Sequence, residues 1–122
     1  MDDPTMPDAR ALYREGFEHF AENRIDEAID CYRRAVDADP GLALAWSGLS
    51  MTLKRKGDLD GAIEAGRKIV ALEPDDPLSH TNLSILYQAK GMIQEAEDEK
   101  ALAMQLQLKL EGEASADRSE SD

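Results

Sequence analysis

Residues 40–74 read PGLALAWSGLSMTLKRKGDLDGAIEAGRKIVALEP, and this stretch decides the fold. Its two prolines stand 34 positions apart, each behind an acidic residue, Asp39 and Glu73. Between them Trp46, Leu49 and Leu53 recur at helical spacing. Gly57 can take the left-handed conformation that ends a helix, and Asp58 can cap the next one. Pro74 then stops that second helix, because a proline disfavours helical geometry in the residue before it. The stretch therefore predicts helix, short turn, helix, stop.

The same period extends in both directions. Ala28, Ala62 and Ala96 are 34 apart, and Leu12, Trp46 and His80 each precede one of them by 16. Asn23, Gly57 and Gly91 keep the same register. Three units, 9–42, 43–76 and 77–110, account for most of the chain. They predict helices over 8–22, 26–38, 43–56, 60–72, 77–90 and 94–110. No stretch alternates as a strand would. Residues 1–8 and 111–122 read as acidic, disordered ends, since they offer few apolar groups to bury.

Composition narrows the function. The 122 residues carry 14 Lys and Arg against 26 Asp and Glu, a formal charge of −12, with 42% apolar residues. That acidity argues against nucleic acid and against an anionic membrane surface. No apolar run approaches the roughly 20 residues of a membrane span. The acidic N-terminus does not resemble a signal peptide, and one cysteine makes no internal disulfide, so a cytoplasmic protein is expected. No cofactor or metal is expected. The motifs HExxH, CxxC, GxSxG and a glycine-rich phosphate loop are all missing, so an enzyme is not expected either. His19 and His80 stand at core-type positions and read as packed or part-exposed histidines. Glu95, Glu97, Asp98 and Glu99 point in different directions around one helix and read as a solvated face. Cys31 reads as a half-exposed, inert thiol whose pKa Asp30 would raise.

The periodic residues resemble the tetratricopeptide repeat family. Its pattern is Trp-x2-Leu-Gly-x2-Tyr, Ala-x3-Phe and Pro at a 34-residue period. Here the units give Leu12-x2-Glu15-Gly16-x2-His19, Ala28-x3-Tyr32 and Pro40; then Trp46-x2-Leu49-Ser50-x2-Leu53, Ala62-x3-Gly66 and Pro74; then His80-x2-Leu83-Ser84-x2-Tyr87 and Ala96-x3-Lys100, with Leu108 in place of proline. The resemblance implies an all-α, right-handed superhelical array of three helix-turn-helix repeats with an extended last helix. It also implies a protein-interaction module whose concave groove takes a peptide or a helix from a protein partner.

Threading on that pattern assigns the groove. Tyr13, Phe17 and Phe20 face inward from the first unit, with Arg10 and Ala21. Leu44, Ser47, Met51, Lys54 and Arg55 do so from the second. Leu78, Thr81 and Ile85 do so from the third, with Asn82, Arg14 and Gly48 at the edges. Aromatic anchors and a basic floor suit a peptide, although the same residues could serve inter-helix packing. The chaperone-binding members clamp a terminal carboxylate with Lys, Asn and Arg side chains. The matching places here hold Tyr13, Phe17, Gly48, Leu78 and Asn82, so no such clamp is expected.

The last helix leaves an open end. Leu102, Leu106 and Leu110 form one stripe, expected to pack on the third unit, while Met104 and Leu108 fall on nearly the opposite side. No capping helix is expected after it, which would leave about 300–400 Å² of apolar surface where a fourth repeat would dock. A weak homodimer, in a self-associating scaffold, is the alternative function.

Overall fold

The computed structural model describes residues 8–120, so the expected disorder of residues 1–7, 121 and 122 lies outside what is described. Six helices follow one another: α1 (Ala9–Ala21), α2 (Ile25–Ala38), α3 (Ala43–Lys56), α4 (Leu59–Leu72), α5 (Pro77–Lys90) and α6 (Ile93–Glu120). There is no strand among the described residues. The chain is an all-α array of helix-turn-helix repeats. It divides into two compact units, one ending at Leu72 and the other beginning at Glu73.

The turns are built as the sequence dictates. Asn23, Gly57 and Gly91 have φ of 62°, 93° and 86°, the left-handed geometry that closes a helix. The Asp58 carboxylate accepts from the Gly61 N–H at 2.9 Å, and that of Asp76 accepts from the Leu78 N–H at 3.0 Å. Each satisfies one of the N–H groups that a helix start leaves without a partner.

In the first unit Tyr32 is fully buried, as are Ala28, Ala35, Ala45 and Ala62. The Tyr32 ring on α2 reaches between α1 and α3, where glycines make room. A Cβ on Gly16 would lie 2.9 Å from Tyr32 Cδ1, and one on Gly48 only 2.4 Å from Tyr32 Cε1. Ser50 Oγ donates to the Ala62 carbonyl at 2.9 Å, tying α3 to α4. Trp46 Nε1 donates to the Pro40 carbonyl at 2.7 Å, which secures the chain leading into α3.

The second unit repeats both devices. Ser84 Oγ donates to the Ala96 carbonyl at 2.7 Å, and His80 Nε2, in the position of Trp46, meets the Pro74 carbonyl at 2.7 Å. Its core is Leu83, Leu86, Tyr87, Ala96 and Ala103.

Three expectations are corrected. Residues 111–120 continue α6 instead of starting a disordered tail, so the helix does not end at 110. The stripe of α6 that packs on α5 runs through Ala96, Glu99, Ala103 and Leu106. Leu102 faces away from that stripe and is 44% exposed, and Leu110 is 46% exposed because α5, half the length of α6, does not reach it. Cys31 is buried rather than half-exposed.

Candidate functional site

Helix α1 is capped by Asp8, whose carboxylate accepts from the Arg10 N–H at 3.0 Å. From that start the 3.6-residue turn places Tyr13, Phe17 and Phe20 on one face. In α3 the same geometry groups Leu44, Ser47, Met51, Lys54 and Arg55. The two faces adjoin, because the Arg55 guanidinium lies 5.8 Å from the centroid of the Phe20 ring. It also donates to Asn23 Oδ1 at 3.3 Å, so part of its charge is used in joining α3 to the end of α1.

Exposure separates packing from presentation. Phe17 is 53% exposed, Leu44 50% and Met51 43%. Burial is the stabilising outcome for such side chains, so three of them facing water on adjoining helices is a surface with apolar character to offer. Ser47, Lys54 and Arg55 are exposed beside them, and Phe20 is half-buried. A shallow depression lined by Tyr13, Arg14, Phe17 and Glu18 continues the surface along α1.

Two residues have a different role from the one threading gave them. Tyr13 is half-buried, and its ring lies 5.9 Å from that of Tyr32 at a tilt of 45°, so it packs as well as presents. Gly48 is buried under Tyr32 and forms no groove edge.

In the second unit Leu78, Thr81, Asn82 and Ile85 are all exposed on α5. Thr81 Oγ1 donates back to the Pro77 carbonyl at 3.0 Å, so its hydroxyl is partly used by the helix itself. On α6, Met104 is 59% and Leu108 61% exposed.

Threading missed one constellation. Glu15 and His19 lie one turn apart on α1, and Cys31 on α2 faces them, with donor atoms all within 4.8 Å of one another. The spacing of Glu15 and His19 is a signal that the sequence carries; the hairpin that brings Cys31 to them is not. Burial pushes the Cys31 thiol pKa up, and the Glu15 and Asp30 charges add to it. Among the described residues no helix is long and apolar enough to cross a membrane.

Comparisons with known proteins agree with this architecture. A family model described as tetratricopeptide repeat matches residues 13–77. The chain is 29% identical over 87 residues to the peroxisomal targeting signal receptor of Kluyveromyces lactis, spanning 71% of this chain but only 15% of that receptor. Among solved structures, MamA superposes with a TM-score of 0.81 at 27% identity, over 86% of this chain and 61% of the other. The first such domain of Spaghetti, bound to an HSP90 peptide, superposes at 0.74 with 24% identity, over 80% and 78% of the two chains. The chain belongs to the tetratricopeptide repeat family.

Proposed function

We propose that this chain is a protein-interaction module without catalytic activity, working in the cytoplasm, and that the adjoining faces of α1 and α3 hold a peptide or helix of a protein partner. The observation that carries this reading is the exposure of Phe17, Leu44 and Met51 beside Lys54 and Arg55. Apolar anchors rimmed by cations suit a ligand with bulky apolar side chains and some acidic ones. Those cations stand out on a chain of formal charge −12. The ligand is held along its length and not by a terminal carboxylate, since the matching places carry no cluster of cations and amides. The receptor and the peptide-bound Spaghetti domain are interaction proteins by name, which is consistent with the reading.

The test is a binding isotherm for a peptide selected against the full chain. Phe17→Ala should weaken it by about 1–3 kcal/mol, the range of an interface anchor. Lys54→Glu with Arg55→Glu should weaken acidic ligands and spare neutral ones. Amidating the peptide's C-terminus should leave affinity unchanged. If Phe17→Ala lowers the melting temperature while affinity holds, Phe17 is a packing residue and the reading fails. Leu78→Ala and Ile85→Ala in the same assay report on the α5 row.

A second reading has its own observation. The exposed Leu102, Met104, Leu108 and Leu110 on α6 favour a weak homodimer by a two-fold contact between copies. Like charge opposes that contact, so the dimer should tighten with salt. Sedimentation at about 100 µM should show mass above the monomer in high salt, and Met104→Glu with Leu108→Glu should remove it. A monomer at both low and high salt excludes the dimer.

A further inference from the structure

The groups around Cys31 share a chemistry that the peptide-binding reading does not use. Glu15 offers a carboxylate, His19 an imidazole and Cys31 a thiol, with the three donor atoms within 4.8 Å of one another. Tetrahedral Zn²⁺ holds sulfur at about 2.3 Å and nitrogen or oxygen at about 2.0–2.2 Å. Donors around it therefore sit roughly 3.3–3.8 Å apart, and rotamer adjustment of Glu15 and His19 closes the difference. Two of the donors are one turn apart on a single helix and the third is buried on its hairpin partner, so the backbone already sets the frame.

The surroundings favour a cation. A surface depression at this place is lined by Glu15, His19, Asp26, Glu27, Asp30, Cys31 and Arg34. Asp26 is paired with the Lys56 ammonium, which leaves the carboxylates of Glu15, Glu27 and Asp30 beside the Arg34 guanidinium. A dication would offset that excess of negative charge instead of adding to it. The depression is open to solvent, so water can supply a fourth ligand, and Asp30 on its rim adds negative charge nearby.

We propose that Glu15, His19 and Cys31 form a site for a divalent transition-metal ion of intermediate softness, Zn²⁺ in kind, that staples α1 to α2. The mixed sulfur, nitrogen and oxygen donor set disfavours Ca²⁺ and Mg²⁺, which take oxygen alone. Binding is ligand exchange without oxidation. A sulfur–metal bond forms, the sulfur–hydrogen bond of Cys31 breaks, and its proton goes to solvent. Residues 15 and 19 lie about 200° around α1 from Tyr13 and Phe17 at about 100° per residue, so an occupied site leaves the peptide-binding face open.

Co²⁺ titrated into the full, reduced chain tests this. One equivalent should bind, with a thiolate-to-cobalt charge-transfer band and the intense visible bands of tetrahedral cobalt. Zn²⁺ should displace it and raise the melting temperature by mass action. Cys31→Ser and Cys31→Ala should both abolish the charge-transfer band; the alanine variant guards against misfolding, with helical dichroism as the check. His19→Gln and Glu15→Gln should each weaken binding at least about ten-fold, the scale on which even outer-shell changes act. Asp98→Asn, on α6, should change nothing. Absence of the thiolate band at one equivalent of Co²⁺, or undiminished binding by Cys31→Ala, overturns the proposal and leaves only an acidic surface.

Discussion

Tyr32→Phe should stabilise the chain by about 1–3 kcal/mol, because the Tyr32 hydroxyl is buried without a hydrogen-bond partner among the described residues. The phenol ring is fully enclosed, and the space around its end is set by Gly48, with no donor or acceptor supplied. Burial, with the neighbouring Tyr13, pushes the phenol pKa up to about 12, which reports the same missing compensation. Phenylalanine fills the same volume without the polar atom. Tyr32→Ala should instead cost about 3–5 kcal/mol, since it empties the wedge between α1 and α3. Gly48→Ala should cost about 1–3 kcal/mol by overpacking, and much less in the Tyr32→Ala background, where its Cβ has room. Urea midpoints of the four variants check the set. A Tyr32→Phe protein less stable than wild type would mean that the hydroxyl has found a partner, and additive costs for Gly48→Ala and Tyr32→Ala would mean that they do not share one space.

The repeat frame is legible in the sequence because it rests on residues that the backbone itself requires. Only a residue at ease with positive φ closes each helix, so Asn23, Gly57 and Gly91 mark three turns, and all three adopt that geometry. The periodic alanines at 28, 62 and 96 mark where paired helices touch, and all three are buried. The end of α6 is illegible for a related reason. Residues 111–120 have little to bury, but extending an existing helix carries no nucleation cost, and Glu and Ala extend it well. Gln107 adds an amide donating to the Glu111 carboxylate at 3.2 Å, one turn on. Phe17, Leu44 and Met51, which threading assigns to the inner face, are exposed. Threading misjudges Tyr13 and Gly48, whose surroundings are fixed by Tyr32 from another helix. Contacts made across a hairpin, such as that of Cys31 with Glu15 and His19, have no period to announce them.

Glu99→Gln should destabilise the second unit by about 1–3 kcal/mol near pH 6, the scale of a hydrogen bond to a charged group. His80 Nδ1 lies 2.6 Å from the Glu99 carboxylate, and Nε2 lies 2.7 Å from the Pro74 carbonyl. The Pro74 carbonyl can only accept, so Nε2 carries a proton, and when Glu99 is ionised a second proton on Nδ1 completes the pair as an imidazolium–carboxylate contact. Burial works against that charge and would lower the pKa. The Glu99 hydrogen bond, the Pro74 carbonyl and the charges of Glu99 and Asp76 outweigh it, and the pKa is raised. A pKa raised on folding stabilises fully below the ordinary imidazole value of about 6.5, and the contribution is lost as pH climbs through the raised, folded value. The gap between wild type and Glu99→Gln should therefore be widest at mildly acid pH and narrow as pH rises past that point, where His80 is neutral in both. Denaturant titrations across that range measure the gap, and the ring nitrogen shifts of His80 read its protonation directly. A gap that does not change with pH, or a His80 ring carrying one proton at pH 6, would sink the argument. The pair ties α5 to α6 from the buried side, opposite the exposed row of Leu78, Thr81, Asn82 and Ile85.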